Sequence, residues 1–242
     1  MPPLDEALLS LAILLAAALV QGFFGFGFGI LAMGGLTLTQ DLIHASGIVN
    51  ITAVVVMTWL TFQLRHHILR GLTLRMLAPL LLGVFLGVIA LGRFDHDLMV
   101  SILGATIVIV AAWNLLQPRL RSRESPWLDG TMALLGGLLS GALNAGGPPL
   151  IIHLYRRPEN PEVIKATLQG LMLTMAVARL PIAAAHGLLS GPIWAEAALM
   201  VPFVMAGVAA GIALARRIPP ERFRRACWVA LGLLGVGLLI PR

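Results

Sequence analysis

Apolar runs of roughly twenty residues follow one another along almost the whole chain, separated by short charged connections. A helix rises about 1.5 Å per residue, so about 20 apolar residues match the ~30 Å hydrocarbon core of a bilayer. No water satisfies the backbone there, which makes each such run a helix. A single run would fit the buried helix of a soluble domain equally well. Here 58% of the residues are hydrophobic and 12% charged, against about 25% charged in ordinary soluble domains. Too little polar surface remains to enclose so many apolar helices in water, and the chain reads as an all-α integral membrane protein.

The runs fall near 4–22, 26–40, 44–64, 74–92, 97–116, 127–143, 147–155, 162–187, 193–215 and 223–240. The second and seventh are short, and each follows a glycine-rich break, at 21–29 and 140–149. The breaks align at an offset of 119 residues, with Gly22 on Gly141, Gly27 on Gly146 and Leu31 on Leu150. The same offset sets Asn50 on Gln169, both lone amides in apolar helices. Farther along the offset becomes 124, setting Gly83 and Gly87 on Gly207 and Gly211, and Arg93 on Arg217. These matches predict an internal duplication into residues 1–122 and 123–242, the usual construction of secondary transporters.

Loop charge constrains the topology. Arginines and a lysine crowd the stretches 65–75, 117–129, 155–165 and 216–225, whereas the connections near 41–44 and 187–192 carry none. Eight simple crossings would put basic loops on both sides, against the positive-inside rule. If each glycine-broken pair, 4–40 and 127–155, enters and leaves on one face, all four basic stretches become cytoplasmic. Each half is then a glycine-rich broken or re-entrant hairpin plus three transmembrane helices, and the halves are inverted. The first run, at 19 residues, is itself long enough to cross, the main challenge to this arrangement.

The net charge of +6 and pI near 11.2 belong on this reading to cytoplasmic loops rather than to a nucleic-acid surface. The lone Cys227 excludes an internal disulfide and a cysteine metal cluster. Residues 1–6 lack a positive region, and the first apolar run lacks a small-residue cleavage site, so no cleaved signal peptide is expected.

Non-helical backbone at membrane depth is tolerated only inside protein or around a water-filled cavity. Glycine permits the turns, and Pro148 and Pro149 suit a first helical turn. The N-terminus of such a half-helix offers backbone N–H donors and partial positive charge, a setting for an anion. Gly25, Gly27, Gly146, Gly147 and Pro148 are therefore candidate binding positions. The glycines of 83, 87, 207 and 211 read as close helix packing instead. Arg179 is the one basic residue deep in an expected span; a charge there costs at least about 2.5–3.5 kcal/mol, and guanidinium suits oxyanions. Its structural alternatives are to snorkel toward the interface or to cap backbone carbonyls near Pro181. No acidic residue is expected in the spans, leaving an anion as the partner of Arg179. Gln21, Asn50, Asn144, Gln169 and Thr174 are candidate polar linings, and His153 is expected at an interface. The run Gly25-x-Gly27-x-Gly29 lacks the spacing and context of a dinucleotide fingerprint.

The segments Val20-Gln-Gly-Phe-Phe-Gly-Phe-Gly-Phe-Gly-Ile-Leu-Ala and Gly141-Ala-Leu-Asn-Ala-Gly-Gly-Pro-Pro-Leu-Ile resemble the two signature segments of the sulfite exporter (TauE/SafE) family. The stretch from Lys165 to Gly187 is similar to that family too. The resemblance implies bacterial inner-membrane transport of sulfite or an organosulfonate, with a small anion and lipid as partners. It implies no enzyme activity, cofactor, metal or nucleic acid. A transporter of another small ion and a non-transporting membrane scaffold are the alternatives; oligomeric state is not legible. The first segment is richer in Phe than the family pattern.

Overall fold

Apolar sequence without strand-like alternation gives helices throughout. The computed structural model describes residues 4–116, 125–217 and 220–240. The helices are α1 (Leu4–Phe24), α2 (Phe28–Leu36), α3 (Leu42–Leu64), α4 (Arg70–Arg93), α5 (His96–Leu116), α6 (Pro126–Leu143), α7 (Gly147–Leu154), α8 (Pro161–Ala185), α9 (Gly191–Ala215) and α10 (Pro220–Leu239). No strand occurs among the described residues. The arginines of 119, 121, 123 and 242 lie outside the described residues, as do the side chains of 220–226.

Six of the described helices, α1, α3, α4, α5, α8 and α9, are long and apolar enough to cross a membrane. Their outward faces are apolar: on α4, Leu74, Leu82 and Phe85 are exposed while Leu80 and Val84 are fully buried. Lipid accounts for such a surface where water would not. The chain is a multi-pass membrane protein. The count of six matches expectation, but its members differ. The expected re-entrant arm α1 is long enough to span, whereas the described apolar part of α10 is the shorter Cys227–Leu239.

The chain forms two compact units. One comprises residues 1–52, 94–118 and 189–242, and the other 53–93 and 119–188, so α3 contributes to both. In the first unit α1 packs on α9 at glycines. A Cβ on Gly22 would strike the backbone of Val208, and one on Gly211 would strike Leu19 and Phe23. Small residues let helix backbones meet where lipid supplies no hydrophobic driving force. In the same unit α5 meets α10 at Gly104 and Gly235, and α2 meets α10 and α5 where Gly34 faces Leu234 and Ile107.

The second unit repeats the first contact with other elements. There α6 packs on α4, with Gly141 against Val84 and Gly87, and Gly137 against Leu80. The glycines expected to be packing positions, 83, 87, 207 and 211, all lie at such contacts. Gly22 and Gly141, counted with the breaks, are packing glycines as well.

Helix boundaries keep the spacings read from sequence. At 119 residues, the end of α1 falls on that of α6, the start of α2 on that of α7, and the start of α3 on that of α8. The caps correspond too. Asp41 Oδ2 accepts from Ile43 N at 2.9 Å, and Asn160 Oδ1 accepts from Glu162 N at 2.9 Å. At 124 residues the start of α5 falls on that of α10.

Candidate functional site

Each unit contains one of the glycine breaks. In the first, α1 ends at Phe24 and the chain turns through Gly25 at φ 82° and Gly27 at φ 106° before α2 begins. Side chains with a Cβ rarely adopt such dihedrals, so the turn depends on glycine at both positions. Gln21, fully buried in the last turn of α1, holds the turn closed. Its carbonyl accepts from Gly25 N at 2.7 Å, and its Oε1 accepts from Phe28 N at 3.1 Å. The first N–H of α2 is thereby occupied. Gly29 and Ile30 follow it, too early in the helix to reach an intrahelical carbonyl. Asn50, in the α3 portion of this unit, is completely buried.

The second break is built differently. Asn144 ends α6 at φ 53°, the only non-glycine residue with positive φ among those described. Asparagine tolerates this conformation better than most residues. Asn144 N donates to Ser140 O at 3.0 Å and Ala145 N donates to Leu139 O at 3.1 Å, a reversal resembling the Schellman C-cap. Because Ala145 N turns back to Leu139, the Gly141 carbonyl loses its helical donor. Arg179 from α8 fills that place: its Nε donates to Gly141 O at 2.9 Å, and the side chain is 1% exposed. The capping role weighed near Pro181 is thus realised at the end of α6 instead.

Gly146 lies so close to α6 that a Cβ would overlap the Gly136 carbonyl and come 2.6 Å from Ser140 Cβ and 2.9 Å from Met175 Sδ. Gly147 has ordinary room. Pro148 and Pro149 occupy the first turn of α7 and bring no N–H, so this helix start presents fewer donors than that of α2. Gln169 is fully buried in α8, and Thr174 Oγ1 donates to Gly170 O at 2.9 Å. Of the expected site residues, Gln21, Gly25, Gly27 and Asn50 lie in the first unit. Arg179, Asn144, Gly146, Gly147, Pro148 and Gln169 lie in the second.

The expectation of no acidic residue in the spans is wrong. Asp129, near the start of α6, is completely buried. Its Oδ1 lies 2.7 Å from His153 Nε2 and 2.5 Å from Arg157 Nη2, and its Oδ2 lies 3.2 Å from Arg75 Nη1. A second acid, Glu196 in α9, pairs with His44 of α3 at 2.9 Å in the first unit. Both acids fall inside the apolar runs 127–143 and 193–215, which is the signal that was available. Asp129 had been counted with the basic stretch before it, and an acid there needs cations to accompany its burial. His153, expected at an interface, is 2% exposed. Its Nδ1 has no hydrogen bond among the described residues.

In both units the chain just after the short helix, or its last turn, contacts the early part of the preceding helix. His153 and Asp129 join the end of α7 to the start of α6. In the first unit Gln40 Nε2, just past α2, donates to Ser10 Oγ of α1 at 2.7 Å. Ser10 stands 119 residues before Asp129, so the same repeat position carries a neutral bond in one unit and an ionic cluster in the other.

Comparison with known proteins shows the family. The model of the sulfite exporter TauE/SafE family matches residues 9–238. The chain is 30% identical over 239 residues to a probable sulfite/organosulfonate exporter TauE of Cupriavidus necator, covering 95% of this chain and 92% of that protein. It is 29% identical over 158 residues to a probable inner membrane transporter protein TsaS of Comamonas testosteroni, covering 64% and 66%. No solved structure matches. The chain belongs to the sulfite exporter TauE/SafE family, a family of transporters rather than enzymes.

Proposed function

We propose that this membrane transporter exports sulfite or an organosulfonate across the bacterial inner membrane, binding it at the glycine breaks with Arg179 as the cationic contact. The observation that carries this reading is Arg179 itself. It is a buried guanidinium that donates to the Gly141 carbonyl at a helix break, in a chain 30% identical to a protein named as a probable sulfite/organosulfonate exporter. Gln21, Gly25, Gly27 and Asn50 are the binding groups proposed in the first unit. Asn144, Gly146, Gly147, Pro148 and Gln169 are those proposed in the second.

The halves 1–122 and 123–242 are inverted repeats on this reading. The helix boundaries and caps repeated at 119 residues support the duplication. The joined feet of the hairpins support re-entry on a single face. Arg75 and Arg157 come from two of the basic stretches and meet on one carboxylate, which supports placing those stretches together on the cytoplasmic side.

The direction follows from charge. Moving one negative charge outward down an inside-negative potential of 100 mV releases about 2.3 kcal/mol, and a dianion about twice that. Export then needs no coupled proton. The deciding measurement is the current across proteoliposomes on addition of sulfite, sulfoacetate, thiosulfate, sulfate or chloride, for wild type and Arg179→Gln. We expect a sulfur-anion current that Arg179→Gln abolishes while the variant still folds. No current with any of these anions in the wild type would overturn the transport reading; equal currents in both proteins would remove Arg179 from the site.

A further inference from the structure

Helix α10 lies along α2 with its chain running the same way: Leu234 meets Gly34 near the end of α2, and Trp228 meets Phe26 just before its start. The Trp228 indole stacks on the Phe26 ring with centroids 5.8 Å apart and planes 23° apart. Phe26 sits between the two left-handed glycines of the break. Phe24 extends the aromatic group, 6.1 Å from Phe26 between centroids. Trp228 is 3% exposed, and its Nε1 is buried with no hydrogen-bond partner among the described residues.

An indole nitrogen can only donate. A buried donor without an acceptor is unfavourable, and such groups in folded proteins call for an explanation. Phenylalanine would keep the stacking on Phe26 without that cost. Trp228 Nε1 is thus a buried donor that no described residue satisfies. The neighbouring start of α2 adds the N–H groups of Gly29 and Ile30 and the positive end of a nine-residue helix. All of these favour an anionic oxygen.

We infer that Trp228 is an anion-binding residue whose Nε1–H donates to a sulfonate or sulfite oxygen at the break between α1 and α2. The inference rests on the transport reading above and adds to it a neutral donor at the break in the first unit. Neither group is duplicated. At the repeat spacings, Arg179 corresponds to Leu60 and Trp228 to Gly104. The surrounding rings exclude water, so a single neutral N–H gains strength as a donor to charge.

Trp228→Phe tests the donor alone. The variant is expected to raise the KM for sulfite in proteoliposomes about tenfold or more, with the maximal rate and thermal midpoint kept. An unchanged KM in a folded variant overturns the assignment and leaves the N–H to a lipid or water oxygen. As a second measurement, Trp59, Trp113, Trp127 and Trp194 are replaced by Phe and the remaining Trp228 emission is titrated with sulfite. A saturable emission change is expected; none across the anion panel overturns the inference. If the wild type carries no anion current, the transport reading fails on its own, and this titration still decides whether Trp228 meets an anion.

Discussion

His153 Nε2 lies 2.7 Å from Asp129 Oδ1, joining the last turn of α7 to the first turn of α6 across 24 residues of sequence. The same carboxylate receives Arg157 and Arg75, so one buried charge ties together α4, α6, α7 and the loop after α7. Removing the charge leaves three donors facing a group that no longer attracts them. Breaking a buried ion pair at one partner costs about 3–5 kcal/mol. Asp129→Asn is expected to lower stability by that order in detergent unfolding. His153→Gln removes one of three partners and should cost less. Equal stability of Asp129→Asn and wild type would show that the cluster is not what fixes the hairpin.

Much of this architecture was legible because hydrocarbon permits so few solutions. Runs of apolar residues had to be helices, and the breaks at Gly25–Gly27 and Asn144–Gly147 are where the helices end. The 119-residue spacing carried further than the residues used to find it, reaching the caps at Asp41 and Asn160. Asp129 was hidden because a residue-type rule assigned it to a polar loop, and burial of a carboxylate depends on cations that are distant in sequence. The contact of Arg179 with Gly141 was hidden for a related reason. It exists because Ala145 N bonds Leu139 O, a detail of backbone geometry that side-chain identity does not reveal. Trp228 lies in the apolar stretch that follows the arginines of α10, and only its neighbours distinguish it.

The glycine contacts predict unequal tolerance to a single methyl group. At Gly22, Gly87 and Gly141 a Cβ would meet backbone atoms of the facing helix, whereas at Gly71 nothing lies within 4 Å. Backbone cannot move aside as a side chain does. Gly141→Ala should therefore cost at least about 1–3 kcal/mol and reduce the yield of folded protein. Gly71→Ala should be neutral or gain about 0.5–1 kcal/mol from helix propensity. Thermal midpoints in one detergent would check both, and comparable losses at Gly71 and Gly141 would contradict the packing.

Gln21 separates the structural demand of the first break from its electrostatic one. Gln21→Ala loses the acceptor for Phe28 N and is expected to cost about 1 kcal/mol, the typical worth of an N-terminal cap. Gln21→Glu keeps an acceptor oxygen in place but sets a negative charge beside the proposed anion. Its expected outcome is retained folding with sulfite current strongly reduced. A Gln21→Glu protein that folds and transports like wild type would move the anion away from this break.

The proposed re-entry of the hairpins makes a prediction that two simple crossings do not. If 127–155 leaves the membrane on the face where it entered, residues before α6 and after α7 share a compartment. The protein offers a clean background, since Cys227 is its only cysteine. With Cys227→Ser in place, Ser125→Cys and Glu162→Cys should both react with an impermeant maleimide only from the cytoplasmic side. Gly191→Cys, in a connection without basic residues, should react only from the outside. Position 191 lies one full helix, α8, beyond position 162, so it tests a true crossing with the same reagent. If 125 and 162 label from opposite sides, the α6–α7 segment spans the bilayer. Every basic stretch after it then changes side, and the inverted arrangement falls with the hairpin.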